Sequence, residues 1–187
     1  MTNPSETRIF STRNMVLCAL MAAVTAVCAQ IAIPMPSGVS VTLQTFAVAL
    51  CGYLLGWKYG LASIAVYILL GMVGAPVFTG FKGGIGVIAG VTGGFIVGFL
   101  PMVFLCGISP KLKDEKLTAA AEILLGAAGM LTCHVTGVIW FAVSTHTPLA
   151  ASFLRVSLPY MAKDMLSVVL AWILCRTLKK ALSRWKT

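Results

Sequence analysis

Gly56-Trp57-Lys58-Tyr59-Gly60 interrupts an apolar run that otherwise extends from Thr45 to Phe78. Wound as one helix, that run would be about 50 Å long at ~1.5 Å per residue, against a hydrocarbon core of ~30 Å. The interruption resolves the conflict, because its glycines permit a turn while its aromatic residues and its cation suit a membrane interface. The run is therefore read as two short helices.

The rest of the chain has the same character. Of its 187 residues 59% are hydrophobic and 10% charged, and the mean hydropathy is +0.96, too apolar for a water-soluble domain. Apolar segments at 15–33, 45–57, 60–74, 86–106, 117–142 and 157–175 predict an all-α integral membrane protein, a bundle of six transmembrane helices forming one domain over residues 1–187. With six crossings, Arg8, Arg13, Lys58, Lys111, Lys113, Lys116, Arg176, Lys179, Lys180, Arg184 and Lys186 share one side, leaving Lys82, Arg155 and Lys163 elsewhere. The positive-inside rule then puts both termini in the cytoplasm. The net charge of +9 follows from that topology and calls for no nucleic acid, while the tail from Arg176 to Lys186 suits contact with anionic membrane lipid.

Residues 15–33 are longer than a usual signal-peptide core and end in Pro34-Met35-Pro36 without a small-x-small cleavage site, so they are read as a retained helix. The cysteines Cys18, Cys28, Cys51, Cys106, Cys133 and Cys175 lie within or at the ends of apolar segments with no CxxC spacing. They read as small apolar residues, neither disulfides nor metal ligands.

Asp164 is the acidic residue set well inside an apolar segment, and its cost of roughly 3 kcal/mol on insertion scales demands a partner or a ligand. Two readings follow: a binding-site carboxylate, or one half of an interhelical ion pair. Lys163 is adjacent, but neighbouring helical residues point about 100° apart, so it is expected to face elsewhere. His134, between Thr132 and Thr136, is read as a hydrogen-bonded packing residue.

Gly86, Gly90, Gly94 and Gly98 recur every fourth residue and predict one smooth face for close helix packing, with Gly93 beside it exposing backbone to a ligand. Ala19, Ala22, Ala23 and Ala26 form a second smooth surface on the first helix, suited to docking within the bundle or against another membrane protein. The segment Gly74-Ala75-Pro76-Val77-Phe78-Thr79-Gly80-Phe81-Lys82-Gly83-Gly84 cannot continue a helix. It reads as an outer loop forming a lid or wall over a site with Asp164 at its base. The chain has no GxxxxGK[ST] phosphate loop, no HExxH and no GxSxG, which removes ATP hydrolysis by that loop and the usual signatures of intramembrane hydrolysis.

These residues resemble the biotin-specific substrate-capture subunits of energy-coupling factor transporters, the BioY family. Val41-Thr42-Leu43-Gln44-Thr45-Phe46 is similar to that family's TLQTF element, and Gly74 to Gly84 to its PVFAG…GG element. Gly90-Val91-Thr92-Gly93-Gly94-Phe95 resembles GPTGGY, and Leu158-Pro159-Tyr160 before Asp164 resembles PF…D. Val91 replaces a proline of the pattern, Thr79 an alanine, and Ser167 a lysine carried by many members.

The resemblance implies a six-helix S-component fold in the cell membrane and a non-enzymatic, high-affinity biotin-binding role, with the ligand near the outer face. Its expected binding residues are Thr42, Gln44, Phe78, Thr79, Lys82, Thr92, Gly93, Tyr160, Lys163 and Asp164. The ureido ring suits Asp164 as acceptor and Gln44 or Thr92 as donor, and the ring and valeryl chain suit Phe78 and Tyr160. The carboxylate suits Lys82, Lys163 or Arg155. Implied partners are a transmembrane coupling subunit, reached through the alanine-rich first helix, and two ABC-type ATPases that alone use ATP; no cofactor or metal is expected. The alternatives are capture of a different vitamin on the same scaffold and a small intramembrane enzyme built on Asp164 and His134.

Overall fold

The computed structural model describes residues 11–184. In chain order they form α1 (Thr12–Gln30), β1 (Ala32–Ile33), β2 (Val41–Thr42), α2 (Gln44–Met72), α3 (Ile85–Ala89), α4 (Gly93–Cys106), α5 (Glu115–Thr145), α6 (Leu149–Val156) and α7 (Leu158–Arg184). Arg8 and Lys186, counted above among the cations of one side, lie outside the described residues. Among the described residues, four helices are long and apolar enough to cross a membrane: Thr12–Gln30, Gln44–Met72, Glu115–Thr145 and Leu158–Ala181; α4 is a shorter apolar helix.

The expected break in α2 falls at Gly56, whose φ of 75° and ψ of 172° lie outside helical values. Positive φ is where glycine carries no Cβ penalty. Beyond it the chain folds back on itself. A methyl group on Gly60 would stand 3.4 Å from Cα of Gly52, two positions that a straight helix holds about 12 Å apart. Residues 44–55 and 57–72 are thus the two arms of a hairpin. The turn sits on the end of α4: Trp57 donates its N–H to the Gly107 carbonyl at 3.2 Å.

The same end of the molecule gathers the basic residues. Arg176 reaches Glu115 at 2.9 Å and Glu122 at 3.5 Å. Lys179 donates to the Tyr53 carbonyl at 2.8 Å, and Trp172 donates to Glu122 at 2.8 Å. The start of α1 joins them through Ser63, whose hydroxyl donates to the Cys18 carbonyl at 2.7 Å. Above this end the core is apolar and close-packed, with Val48, Cys51, Ile64, Tyr67, Met102, Val103 and Cys106 all buried.

Several boundaries differ from the sequence reading. The segment 86–106 is two helices, because Gly90 is extended (φ −77°, ψ −176°) between α3 and α4. Its carbonyl accepts from the Trp140 indole at 2.9 Å and from the Gly93 N–H at 3.1 Å. The glycine ladder is accordingly halved. Gly94 and Gly98 lie against α5, where an added methyl would meet Trp140 Cβ at 2.2 Å and Thr136 Oγ1 at 2.4 Å respectively, while one on Gly86 would meet nothing within 4 Å.

α1 ends at Gln30 because Ala32 and Ile33 pair antiparallel with Thr42 and Val41, so the outer loops contain a small strand pair in an otherwise helical chain. The short α6 precedes α7. The alanine surface of α1 also divides: Ala19 and Ala23 are exposed, Ala26 packs half-buried on the core, and Ala22 is buried at 4% exposure. Ala22 is therefore packed within the bundle, one of the two roles its spacing allowed, and not on the partner-docking face that the resemblance implied.

Candidate ligand-binding site

At the end of the bundle away from the basic cluster, one cavity is walled by the 38–45 segment, by the loop after α2, by the first turns of α4, by the middle of α5 and by the start of α7. Thr42, Gln44, Phe78, Thr79, Lys82, Thr92, Tyr160, Lys163 and Asp164 all line it. Residues distant in sequence are thus brought to one place.

Gly93 is the exception. A methyl group there would fall 1.7 Å from the Ile88 carbonyl oxygen and 3.1 Å from Trp140 Nε1. Gly93 is needed because the chain passes close behind it, and it does not face the cavity. Arg155 is also elsewhere, beside Met35, Pro36, Ser37 and Phe141 in a separate surface hollow.

The wall between α5 and α7 is polar. Asp164 Oδ2 lies 3.2 Å from His134 Nε2, and His134 Nδ1 lies 2.9 Å from Ser157 Oγ. A carboxylate only accepts, so His134 Nε2 carries the proton that faces Asp164, while Nδ1 and the Ser157 hydroxyl share the second hydrogen bond. Lys163 forms an ion pair with Asp164 Oδ1 and donates to the Thr42 carbonyl at 2.7 Å. The expectation that Lys163 faces away is corrected: its four-carbon stem lets the ammonium swing back beside its neighbour although the two Cβ atoms diverge. Asp164 Oδ1 is buried, with the Lys163 ammonium as its close partner. His134 is the packing residue expected, but it also lines the cavity.

The facing wall is held by amides and hydroxyls. Gln44 Nε2 donates to Tyr67 at 2.8 Å, and Gln44 Oε1 accepts from Thr42 at 3.0 Å and from Thr79 at 3.2 Å. Gln44 thus ties this wall together and also lines the cavity. Tyr160 donates to the Val39 carbonyl at 2.6 Å, tying α7 to the first outer loop. Phe78 is buried at 1% exposure, edge-on to Tyr67 with ring centroids 5.6 Å apart. Phe95, Ile96, Phe99 and Met130 complete an apolar floor.

Sequence reasoning missed these floor residues, which look like any buried apolar positions, and also Gln30, whose side chain holds the loop carrying Phe78 and Thr79. A lone polar residue at the end of an apolar helix was the available signal. Among the described residues no group of three or more histidine, cysteine or acidic side chains is placed to hold a metal ion.

Residues 2–184 match the model of the BioY family. The chain is 35% identical over 171 residues to the "Biotin transporter BioY" of Thermotoga maritima, covering 90% of this chain and 96% of that protein. It is 35% identical over 178 residues to "Biotin transporter BioY2" of Lactococcus lactis subsp. cremoris, covering 95% and 94%. Among solved structures it resembles the S-component for biotin from an ECF-type ABC transporter, with a TM-score of 0.80 and 26% identity over 96% of this chain and 95% of that one.

Proposed function

Because the chain belongs to the BioY family, we propose that it captures biotin at the membrane as the substrate-binding subunit of an uptake transporter. The observation that carries this reading is the Asp164 carboxylate, buried in the wall of a cavity that combines polar walls with an apolar floor. An acceptor so placed suits an N–H donor on an otherwise apolar ligand. The ureido ring of biotin supplies two such donors, and its fused ring and valeryl chain suit Phe78, Phe95 and Tyr160. With Lys163 engaged by Asp164 and Thr42 and Arg155 in a separate hollow, Lys82 at the cavity is the cation for the ligand's carboxylate.

The proposal includes six membrane crossings, with the two arms of α2 and α4 counted as separate spans, and cytoplasmic termini in the cell membrane. The gathering of Lys179 and Arg176 with the turn after Gly56 at one end supports that orientation. It also includes a transmembrane coupling subunit met by the exposed Ala19 and Ala23 of α1, and two ABC-type ATPases that supply the energy. Purified chain should bind biotin with one-to-one stoichiometry in calorimetry and ignore thiamine and riboflavin; preference for another vitamin would reassign the cavity.

A further inference from the structure

The loop after α2 is tied back to that helix by Gly84 N–H to the Gly71 carbonyl at 2.7 Å and by the buried Phe78. Its tip is a tight reversal closed by Phe78 and Lys82, which exchange backbone hydrogen bonds of 3.0 and 3.3 Å. Gly80 (φ 72°) and Phe81 (φ 56°) both take left-handed conformations there. For Phe81 that backbone carries a steric penalty, and its ring, 72% exposed, gives no packing in return.

A further anchor, from outside α2, comes from α1. Gln30 Oε1 accepts the Phe81 N–H at 2.9 Å. Its Nε2 lies 3.1 Å from the Phe78 carbonyl and 3.4 Å from that of Val77, while also reaching back to the Ala26 carbonyl at 3.2 Å. One amide therefore holds both sides of the reversal, using its carbonyl as acceptor and its NH2 as donor. The other side-chain ties to this segment, Thr79 to Gln44 and Tyr67 to the Val77 carbonyl, reach it from within α2.

We propose that Gln30 is a positioning residue that latches the Val77–Phe81 loop to α1 and so holds Phe78 and Thr79 in the cavity wall. Resting on the reading of the cavity as a biotin site, the latch limits how fast biotin enters and leaves. Releasing it raises both rates, because the same opening serves both directions. Damage to the pocket lowers association and raises dissociation.

Gln30→Leu keeps the bulk and removes every hydrogen bond; Gln30→Glu keeps the acceptor for Phe81 and loses the donors. In nanodiscs, without ligand, hydrogen exchange of the peptide covering residues 77–84 should accelerate roughly five- to tenfold in Gln30→Leu, the scale of one or two lost hydrogen bonds, and by less in Gln30→Glu. Exchange in the 130–141 segment of α5 should stay unchanged. Stopped-flow binding of biotin should then show association and dissociation both accelerated in the order wild type, Gln30→Glu, Gln30→Leu. Unchanged loop exchange overturns the latch, and exchange rising throughout the chain overturns it in favour of a general folding role. Faster loop exchange with unchanged biotin rates overturns its control of the ligand. Should the wild-type chain bind no biotin, the functional reading fails, and the exchange comparison still decides whether Gln30 holds the loop.

Discussion

His134 on α5 and Asp164 on α7 meet through Nε2 and Oδ2 at 3.2 Å, while Lys163 takes the other carboxylate oxygen. The carboxylate thus ties two helices together and also lines the cavity, so the structural pair leaves the site reading of this intramembrane aspartate open to test.

Asp164→Asn is expected to weaken biotin binding about tenfold, as charge assistance of one hydrogen bond is lost. It should also lower the ligand-free melting temperature in detergent, since Lys163 loses its counter-charge, at a cost of roughly 1–3 kcal/mol. Adding Lys163→Met should restore melting but not affinity. Recovery of both would show that the carboxylate acts only on the fold.

The glycine ladder offers a matched pair of substitutions. Gly98→Ala forces a methyl within 2.9 Å of Cys133 Cα and should destabilise by roughly 1–3 kcal/mol. Gly86→Ala, in open space within α3, should be neutral or stabilising by up to about 1 kcal/mol. Thermal unfolding of both variants in one detergent provides the comparison, and equal losses would mean that the ladder packs along its whole length.

On α1 the contrast is between neighbours. Ala22→Leu inserts bulk at a buried position and should lower melting and binding together. Ala23→Leu, at an exposed position, should leave both intact and reduce biotin uptake only in cells that also make the coupling subunit and ATPases. Uptake that is unaffected would remove Ala23 from the docking face.

Orientation is open to chemical labelling of intact cells. A membrane-impermeant thiol reagent should modify Phe81→Cys and spare Lys113→Cys, the unsubstituted protein serving as background for the native cysteines. The reverse pattern would invert the topology.

The break at Gly56 was legible because length forbade a single helix and glycine, aromatic and cationic residues coincided there. The Gly90 break was hidden by the regularity that suggested close packing: a four-residue glycine spacing looks the same whether the backbone is helical throughout or bends at one of its members. The strand pair leaves two residues in each strand, too little for a periodic signal. At the site, side chains with unusual chemistry for their surroundings, Asp164 and Lys82, stood out. The direction of Lys163 did not, since a long flexible side chain is poorly constrained by the helical position of its Cβ.

Gly52 and Gly60 bring the two arms of α2 so near to each other and to α4 that the residues inward of the cavity floor, Cys51, Val103 and Cys106, are at most 2% exposed. That seam is apolar. A zwitterion-sized solute with a carboxylate tail would find no wetted path through it, and desolvating the tail there would cost several kcal/mol. In the reading proposed above, cargo held under the Phe78 loop would therefore find the inward side of its cavity closed by packed side chains.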